Sequence, residues 1–433
     1  MIPGLLATLC WESGATAQLA EIQKANDFYV AGITAYRQKD YKVYLKNMRQ
    51  AVALWPDNAG LKLQLAGALA RNGLKGEALQ MLEQLIRLKI QLDLVDNPDL
   101  ASLKGSKPFQ KLLAQHTKLK KSVASSQFAF SVPQKDLVAE GIAYDPAERS
   151  FYISSVHRRK ILRIDETGKA EDFIAEGQDG IWAVLALKVD PKQRILWALS
   201  SALPEMNGFR PEEKGFSSVY KYDLTDGKLI KKYLMIIPGE KHAFNDLALD
   251  SKGNVYISDT EARSLYQIDI KSDEISAFLA PGKLLSPQGL AFSDDEKSLY
   301  IADYALGIFS LNLATKELTK LTTPKETIMV GTDCLVRFEN TLIALQNGIQ
   351  PNRVVRLYLD NTGKRIERSE IIEMNNNLFS DPTLGVIAKD SFYYIANGQW
   401  SSFNLDGTLF SPDKLQELIV LKTKLKLSGS TLK

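Results

Sequence analysis

The stretch from Phe244 to Tyr304 holds two copies of one pattern, FNDLALDSKGNVYISDT (Phe244–Thr260) and SPQGLAFSDDEKSLYIADY (Ser286–Tyr304). Each copy runs from a polar residue into an apolar strand, through a turn rich in Asp, Lys, Ser or Gly, and into a second apolar strand ending in Asp. Two short apolar runs joined by such a turn read as a β-hairpin. Recurrence of the unit at a fixed period means a repeat architecture, which restricts the folds open to the chain more than any other feature.

The pattern recurs on both sides of that pair. EGIAYDPAERSFYISS begins at Glu140, LALKVDPKQRILWALSS at Leu185, TDCLVRFENTLIALQN brings Asp333 to the equivalent place, and PTLGVIAKDSFYYIAN begins at Pro382. The spacing is roughly 40–50 residues, which is propeller spacing with four strands per unit. One longer interval accommodates the insertion ALPEMNGFRPEEKGF (Ala202–Phe216) in the second unit. Further strands are visible as Lys160–Asp165, Ser218–Asp223, Ser264–Asp269, Gly307–Asn312 and Arg353–Asp360. About six blades around a central channel are expected, with QFAFSV (Gln127–Val132) completing the last blade and tying the ring's ends together.

A chain of 433 residues is too long for one ordinary core, so two domains are expected. The composition, 45% hydrophobic and 24% charged, is that of a globular protein, and no run reaches the roughly 18 apolar residues of a membrane span. Net charge is +3. The basic surplus gathers at LAQHTKLKKS, a solvated helix end without the interleaved aromatic side chains that nucleic-acid binding wants. No nucleic-acid partner is expected.

Residues 1–20 read as a candidate leader. Ala15-Thr16-Ala17 resembles a signal-peptidase site and Leu5–Trp11 is a short apolar core, although Glu12 interrupts the run and a basic start is missing. A periplasmic or secreted location is the expectation, with a cytoplasmic one as the alternative. Loss of the leader would remove Cys10 and leave Cys334 alone, so cysteine usage does not decide the compartment.

From Glu21 to about Leu119 the periodicity becomes helical. Phe28, Gly32, Tyr36, Tyr44, Met48, Ala51 and Pro56 in one unit, and Leu65, Ala66, Leu69, Ala78, Leu82 and Leu85 in the next, fall where a tetratricopeptide repeat places its large, small and terminating residues. The region resembles that family with about two repeats. Trp55-Pro56-Asp57-Asn58 stops one helix and caps the next, and Asp96–Leu113 adds a segment that closes the stack. Such modules bind a protein partner or self-associate; equally, this one is expected to pack on the propeller and stabilise it. The fold class is thus α+β multidomain: tetratricopeptide-like helical hairpins over 21–119, then a six-bladed β-propeller over 127–425.

In a propeller the start of each innermost strand and the end of the next lie on the same face, beside the channel. Glu140, Leu185, Asn245, Gln288, Asp333 and Thr383 then form an inner ring. A second ring holds Ser154, Ser155, Asp259, Asp303, Gln346, Asn347 and Asn397. Glu140 and Asp333 would repel each other without a cation between them. Their oxygens with those of Asn245 and Gln288 suit Ca²⁺, or Mg²⁺ or Mn²⁺. Zinc is disfavoured, since three His and two Cys show no ligand spacing. Asp333 or Asp246 is the candidate proton acceptor. His242, three residues before Asn245, is a candidate proton shuttle, and Trp182 is a candidate pocket wall.

The motifs AEGIAYD, FNDLALDSKGNVYISD, SPQGLAFSDDEKSLYIAD and GTDCLVRFENTLIALQNG make the propeller similar to the senescence-marker / gluconolactonase / luciferin-regenerating-enzyme family, with the paraoxonases as structural relatives. The resemblance covers about Leu137 to Lys422. It implies a divalent metal at the channel mouth that polarises a lactone or ester carbonyl for attack by water. It implies that Glu140 takes the place of the family's Glu, Asn245 that of its substrate- or metal-contacting Asn, and Asp333 that of its Asp. Gln288 stands where the family has Asn, one methylene longer, and Cys334 where it tends to have Gly or Asn. Two functions follow as expectations: a calcium-dependent lactonase or esterase, with Asn245, Gln288, Trp182 and Asn347 against the substrate, or a non-catalytic propeller that binds a ligand or protein partner.

Overall fold

The computed structural model describes residues 9–165 and 167–425. Residues 1–8 of the candidate leader lie outside that range, while 9–20 form the start of the first helix.

Five helices precede the propeller: α1 (Leu9–Arg37), α2 (Tyr41–Leu54), α3 (Ala59–Arg71), α4 (Lys75–Arg87) and α5 (Lys107–Lys118). Their ends are written in the sequence. Asp40 accepts from the Val43 N–H, Asn58 from the Leu61 N–H and Ser106 from the Phe109 N–H, each satisfying a donor that has no partner within its helix. Gly32 of α1 lies against α2, where an added Cβ would stand 2.4 Å from the Met48 methyl. Ala66 and Ala78 are fully buried, so small residues do set the helix spacing. The tetratricopeptide character of these helices rests on that residue spacing alone.

Among the described residues, the strands that follow form six sheets arranged as blades. The innermost strands are Ala139–Asp145, Ala183–Asp190, Phe244–Leu249, Pro287–Phe292, Thr332–Phe338 and Gly385–Ala388. Blades one to six follow in that order. In each of the first five, three further antiparallel strands follow in sequence. In the sixth, Gln127–Val132 pairs with Leu418–Lys424, so the expected closure between the two ends of the ring is present. Tyr152, Trp197, Phe244, Phe392 and Tyr394 are among the fully buried side chains between the sheets.

The stretch between α5 and Gln127 runs along blade five. Val123 and Ala124 add a fifth strand to its outer edge, and the N–H groups of Ser125 and Ser126 donate to Glu373 at 3.0 and 2.8 Å. An uncovered sheet edge leaves backbone groups unpaired, and this segment pairs them.

The helices dock on the blade-four and blade-five loops of the face that carries the inner-strand starts. Ile328, Ile349 and Val330 enter the helical core, while Ile22 of α1 joins Leu284, Leu306 and Leu311 in the core around blade four. Arg353, 2% exposed, donates to the carbonyls of Leu88 and Lys89 beyond the end of α4, where cationic charge is favourable, and to Gln346 Oε1. Lys320 pairs with Asp57 at 2.6 Å.

Candidate metal and ester site

Each of the first five inner strands enters its sheet through a register shift. The shifts fall between Ala139 and Ile142, Val184 and Leu187, Phe244 and Leu247, Pro287 and Leu290, and Thr332 and Cys334. The residues left outside the ladder are Glu140-Gly141, Leu185-Ala186, Asn245-Asp246, Gln288-Gly289 and Asp333. A bulge re-aims its side chains and is common beside functional sites. Here it turns polar side chains out of positions that a regular strand would bury between blades.

Serines of the second strands hold the bulges. The Gly141 N–H donates to Ser154 Oγ at 2.6 Å, and the Asp246 N–H to Ser258 Oγ at 3.0 Å. Two of the bulged residues must be glycine for packing. A Cβ on Gly141 would sit 2.5 Å from the Leu185 carbonyl oxygen, and one on Gly289 only 2.4 Å from the Leu335 nitrogen and 2.8 Å from the Asp333 carbonyl. These close approaches draw neighbouring inner strands together, Gln288 beside Asp333 included.

Glu140 and Asp333 are both buried, and the charge of Asp333 is felt by the Glu140 carboxyl. Burial, then the negative charge of Asp333, hold the Glu140 carboxyl well above the ordinary carboxylate range. Burial pushes Asp333 up to about 6, with Asn347 pulling against it and Asp246 adding to it. One oxygen of each carboxylate is tied. Glu140 Oε2 accepts from the Trp400 indole N–H, and Asp333 Oδ2 accepts from Asn347 Nδ2 at 2.7 Å. Asn347 also donates to the Pro382 carbonyl at 3.0 Å and accepts from the Tyr304 hydroxyl at 3.0 Å, so its amide is fixed. Glu140 Oε1 and Asp333 Oδ1 have no protein hydrogen-bond partner among the described residues, nor does the Asn245 amide. Gln288 donates to Ser286 Oγ at 3.2 Å, which leaves its carbonyl oxygen uncommitted.

Among the described residues no three His, Cys, Asp or Glu side chains converge as a metal cluster. The uncommitted oxygens at the inner-strand starts are those of Glu140 and Asp333, from carboxylates, and those of Asn245 and Gln288, from amides. Hard neutral and anionic oxygens, buried and without a neutralising side chain between them, fit Ca²⁺, Mg²⁺ or Mn²⁺ and not a thiophilic ion.

The other candidates fall elsewhere. Both Asp246 oxygens take backbone N–H groups, Oδ1 from Leu247 at 2.8 Å and Oδ2 from Leu290 at 3.0 Å, which ties blade three to blade four. His242 is buried with Nδ1 2.7 Å from Asp259 Oδ2 and its ring edge-on to Tyr266. Its Nε2 lies 3.5 Å from Glu240 but makes no hydrogen bond; the longer contact is a weak ion pair at most. None of these contacts reaches Glu140, Asn245 or Asp333. Trp182 packs on Phe216, in the same apolar cluster as Trp400. The Cys334 thiol accepts from the Gly385 N–H at 3.3 Å and is buried.

Sequence reasoning missed Trp400 and Tyr304. Trp400 sits in the long blade-six connection between Ser391–Ile395 and Leu418–Lys424. The length of that connection, with Trp400, Phe403 and Phe410 in it, was the available signal. Asp381 was missed as well; its charge adds to the field on both Glu140 and Tyr304.

Residues 138–340 match the family model described as SMP-30/Gluconolactonase/LRE-like region. No curated protein matches the chain. Among solved structures, it is similar to a gluconolactonase of Xanthomonas campestris at 14% identity and TM-score 0.46, over 71% of this chain and 93% of that one. It is similar to the calcium-binding protein regucalcin of Agrobacterium tumefaciens at 14% identity and TM-score 0.47, over 69% and 96%. A luciferin-regenerating enzyme gives 14% identity and TM-score 0.45, over 71% and 100%. The matched residues take in Glu140, Asn245, Gln288 and Asp333.

Proposed function

We propose that the protein is a divalent-cation-dependent hydrolase of lactones or esters. The observation that carries this reading is the pair of buried carboxylates, Glu140 and Asp333, each with one uncommitted oxygen and each at an inner-strand register shift like those that carry Asn245 and Gln288. Glu140, Asn245, Gln288 and Asp333 would hold the ion. When bound, it supplies Lewis-acid polarisation of the ester carbonyl.

The chain's own groups supply the rest. Asp333 accepts a proton from the attacking water. Asn347 keeps that carboxylate in one orientation and is itself held by Tyr304 and Pro382. Trp400 does the same for Glu140. Asp246 serves as an inter-blade tie and His242 as a loop anchor.

The test is hydrolysis of a lactone and an aryl ester before and after a chelator, with Ca²⁺ restored, alongside Asp333→Asn. The expected result is loss with chelator, recovery with Ca²⁺, and a fall of about 10²-fold or more in the variant. Activity indifferent to both would overturn the mechanism.

A second reading, a scaffold that recruits a protein partner, is favoured by a groove of ≈ 250 Å³ in the helical region lined by Tyr29, Trp55, Asn58, Leu61 and Gln64. Retention of a partner by the full chain, and its loss on substituting Tyr29 and Trp55, would support that reading.

A further inference from the structure

The polar side chains around the channel mouth are almost all spent inside the protein. Asn347 uses both its amide hydrogens and its oxygen. Thr383 donates to the Glu140 carbonyl at 3.0 Å. Asn397 donates to the Glu417 carbonyl and accepts from the Ile419 N–H. Gln399 donates to the Lys135 and Gln416 carbonyls and accepts from the Gln416 N–H. What remains uncommitted lies on Glu140, Asp333, Asn245 and Gln288, the four side chains proposed for the cation. A polyhydroxylated ligand would reach the mouth and find few partners for its hydroxyl groups, and each unpaired hydroxyl it buried would cost free energy.

The opposite is true of apolar surface. Two long connections, the blade-two insertion and the blade-six loop, meet over blades one, two and six. Trp182, Phe209, Phe216, Trp400 and Phe403 pack there in one cluster. Phe209, Phe216, Trp400 and Phe403 are only half-buried, so the cluster keeps apolar faces in reach of a ligand. Trp400 joins this wall directly to the acids, because its indole N–H is on Glu140. Any molecule held at Glu140 and Asp333 therefore lies beside the Trp400 ring.

We propose that this wall makes the site selective for lactones or esters bearing an alkyl or aryl group, and against polyhydroxylated ones. Trp400 is both a specificity-determining residue, through its ring face, and a positioning residue, through its bond to Glu140. The inference rests on the hydrolase reading for the reacting group, but not for the wall, which binds whether or not turnover follows.

The test compares two six-membered lactones on the cation-loaded full chain: δ-decalactone, with an alkyl chain, and D-glucono-δ-lactone, with hydroxyls. Binding of the corresponding non-hydrolysable lactams is followed separately by tryptophan fluorescence. The expected result is a kcat/KM at least ~10-fold higher for the alkyl lactone, and tighter binding of its lactam. Trp400→Gln retains a donor for Glu140 but loses the ring. It should abolish the preference, chiefly through a raised KM for the alkyl lactone. Trp400→Phe retains an apolar ring but loses the donor, and should keep the preference while lowering kcat for both. Preference for the hydroxylated lactone would overturn the inference and leave the hydrolase reading standing. Turnover of neither, with alkyl-lactam binding that Trp400→Gln removes, would sink the hydrolase reading and uphold the ligand class. Equal binding of both lactams would overturn the inference in every case.

Discussion

The starts of the inner strands and the ends of the second strands lie side by side on the same face and carry the same kinds of residue. Their side chains behave in opposite ways. At the second-strand ends, Asp303 accepts from four backbone N–H groups, those of Leu285, Ser286, Ala305 and Leu306. Asp259 takes the N–H groups of Ala243 and Ala262 as well as His242. Gln346 is consumed by the Ile328 and Val330 carbonyls and by Arg353. At the inner-strand bulges, Glu140, Asn245, Gln288 and Asp333 keep oxygens for something else. A polar residue at this propeller's mouth is a fastener when backbone donors surround it, and keeps free oxygens when a bulge lifts it clear of them. Asp246 bears this out inside one bulge: its neighbour Asn245 is free while its own oxygens are both taken.

The sharpest way to break this contrast is to remove one carboxylate of each kind. Asp333→Ala should cut hydrolysis by about 10²–10⁴-fold and abolish cation-induced thermal stabilisation, with little loss of fold. Asp303→Ala should do the reverse: a loss of about 3 kcal/mol read from a denaturant midpoint, with cation binding retained in the folded fraction. Equal effects of the two substitutions on cation binding would erase the distinction.

A pH series sharpens it further. Burial holds Glu140, Asp246, Asp303 and Asp333 all above the usual carboxylate range. A raised folded pKa contributes stability that is complete below the unfolded pKa and is lost as pH rises through the folded one. For Asp333 that window runs from about 4 to about 6. The cation-free protein should therefore lose thermal stability across it. Added Ca²⁺ should restore stability above about 6 and lose its effect below, roughly tenfold in affinity per pH unit. The charge of Asp381 acts on Glu140, while Lys188 acts on Asp246 in the opposite sense. Lys188→Gln should therefore move the window upward only slightly. A cation effect unchanged at pH 5 would argue that these acids are not its ligands.

The smallest expected effect is at Gln288. Gln288→Asn shortens the side chain by one methylene and should change cation affinity by less than about tenfold, read by calorimetry. A loss of all binding would mean that the longer amide is an indispensable ligand.

The repeat period, the six blades, the closing strand and the helix caps were legible because each depends on local pattern: alternation, turn chemistry, a capping oxygen three residues before its N–H. Glu140 and Asp333 were legible too, since a charge immediately before an apolar strand breaks that pattern. The fate of each polar side chain was not. Asp246 and Asn245 are adjacent letters, and only the register shift against Val255–Asp259 with the nearness of Leu290 assigns one to the scaffold and the other to the mouth. Trp400 is some 260 positions from Glu140 and meets it only because blade six closes against blade one. Local sequence settles which elements form, because short-range sterics and hydrogen bonds act within a few residues. Which oxygen remains unsatisfied depends on what else the folded chain brings within three ångströms of it, and that is settled only by ring closure and packing.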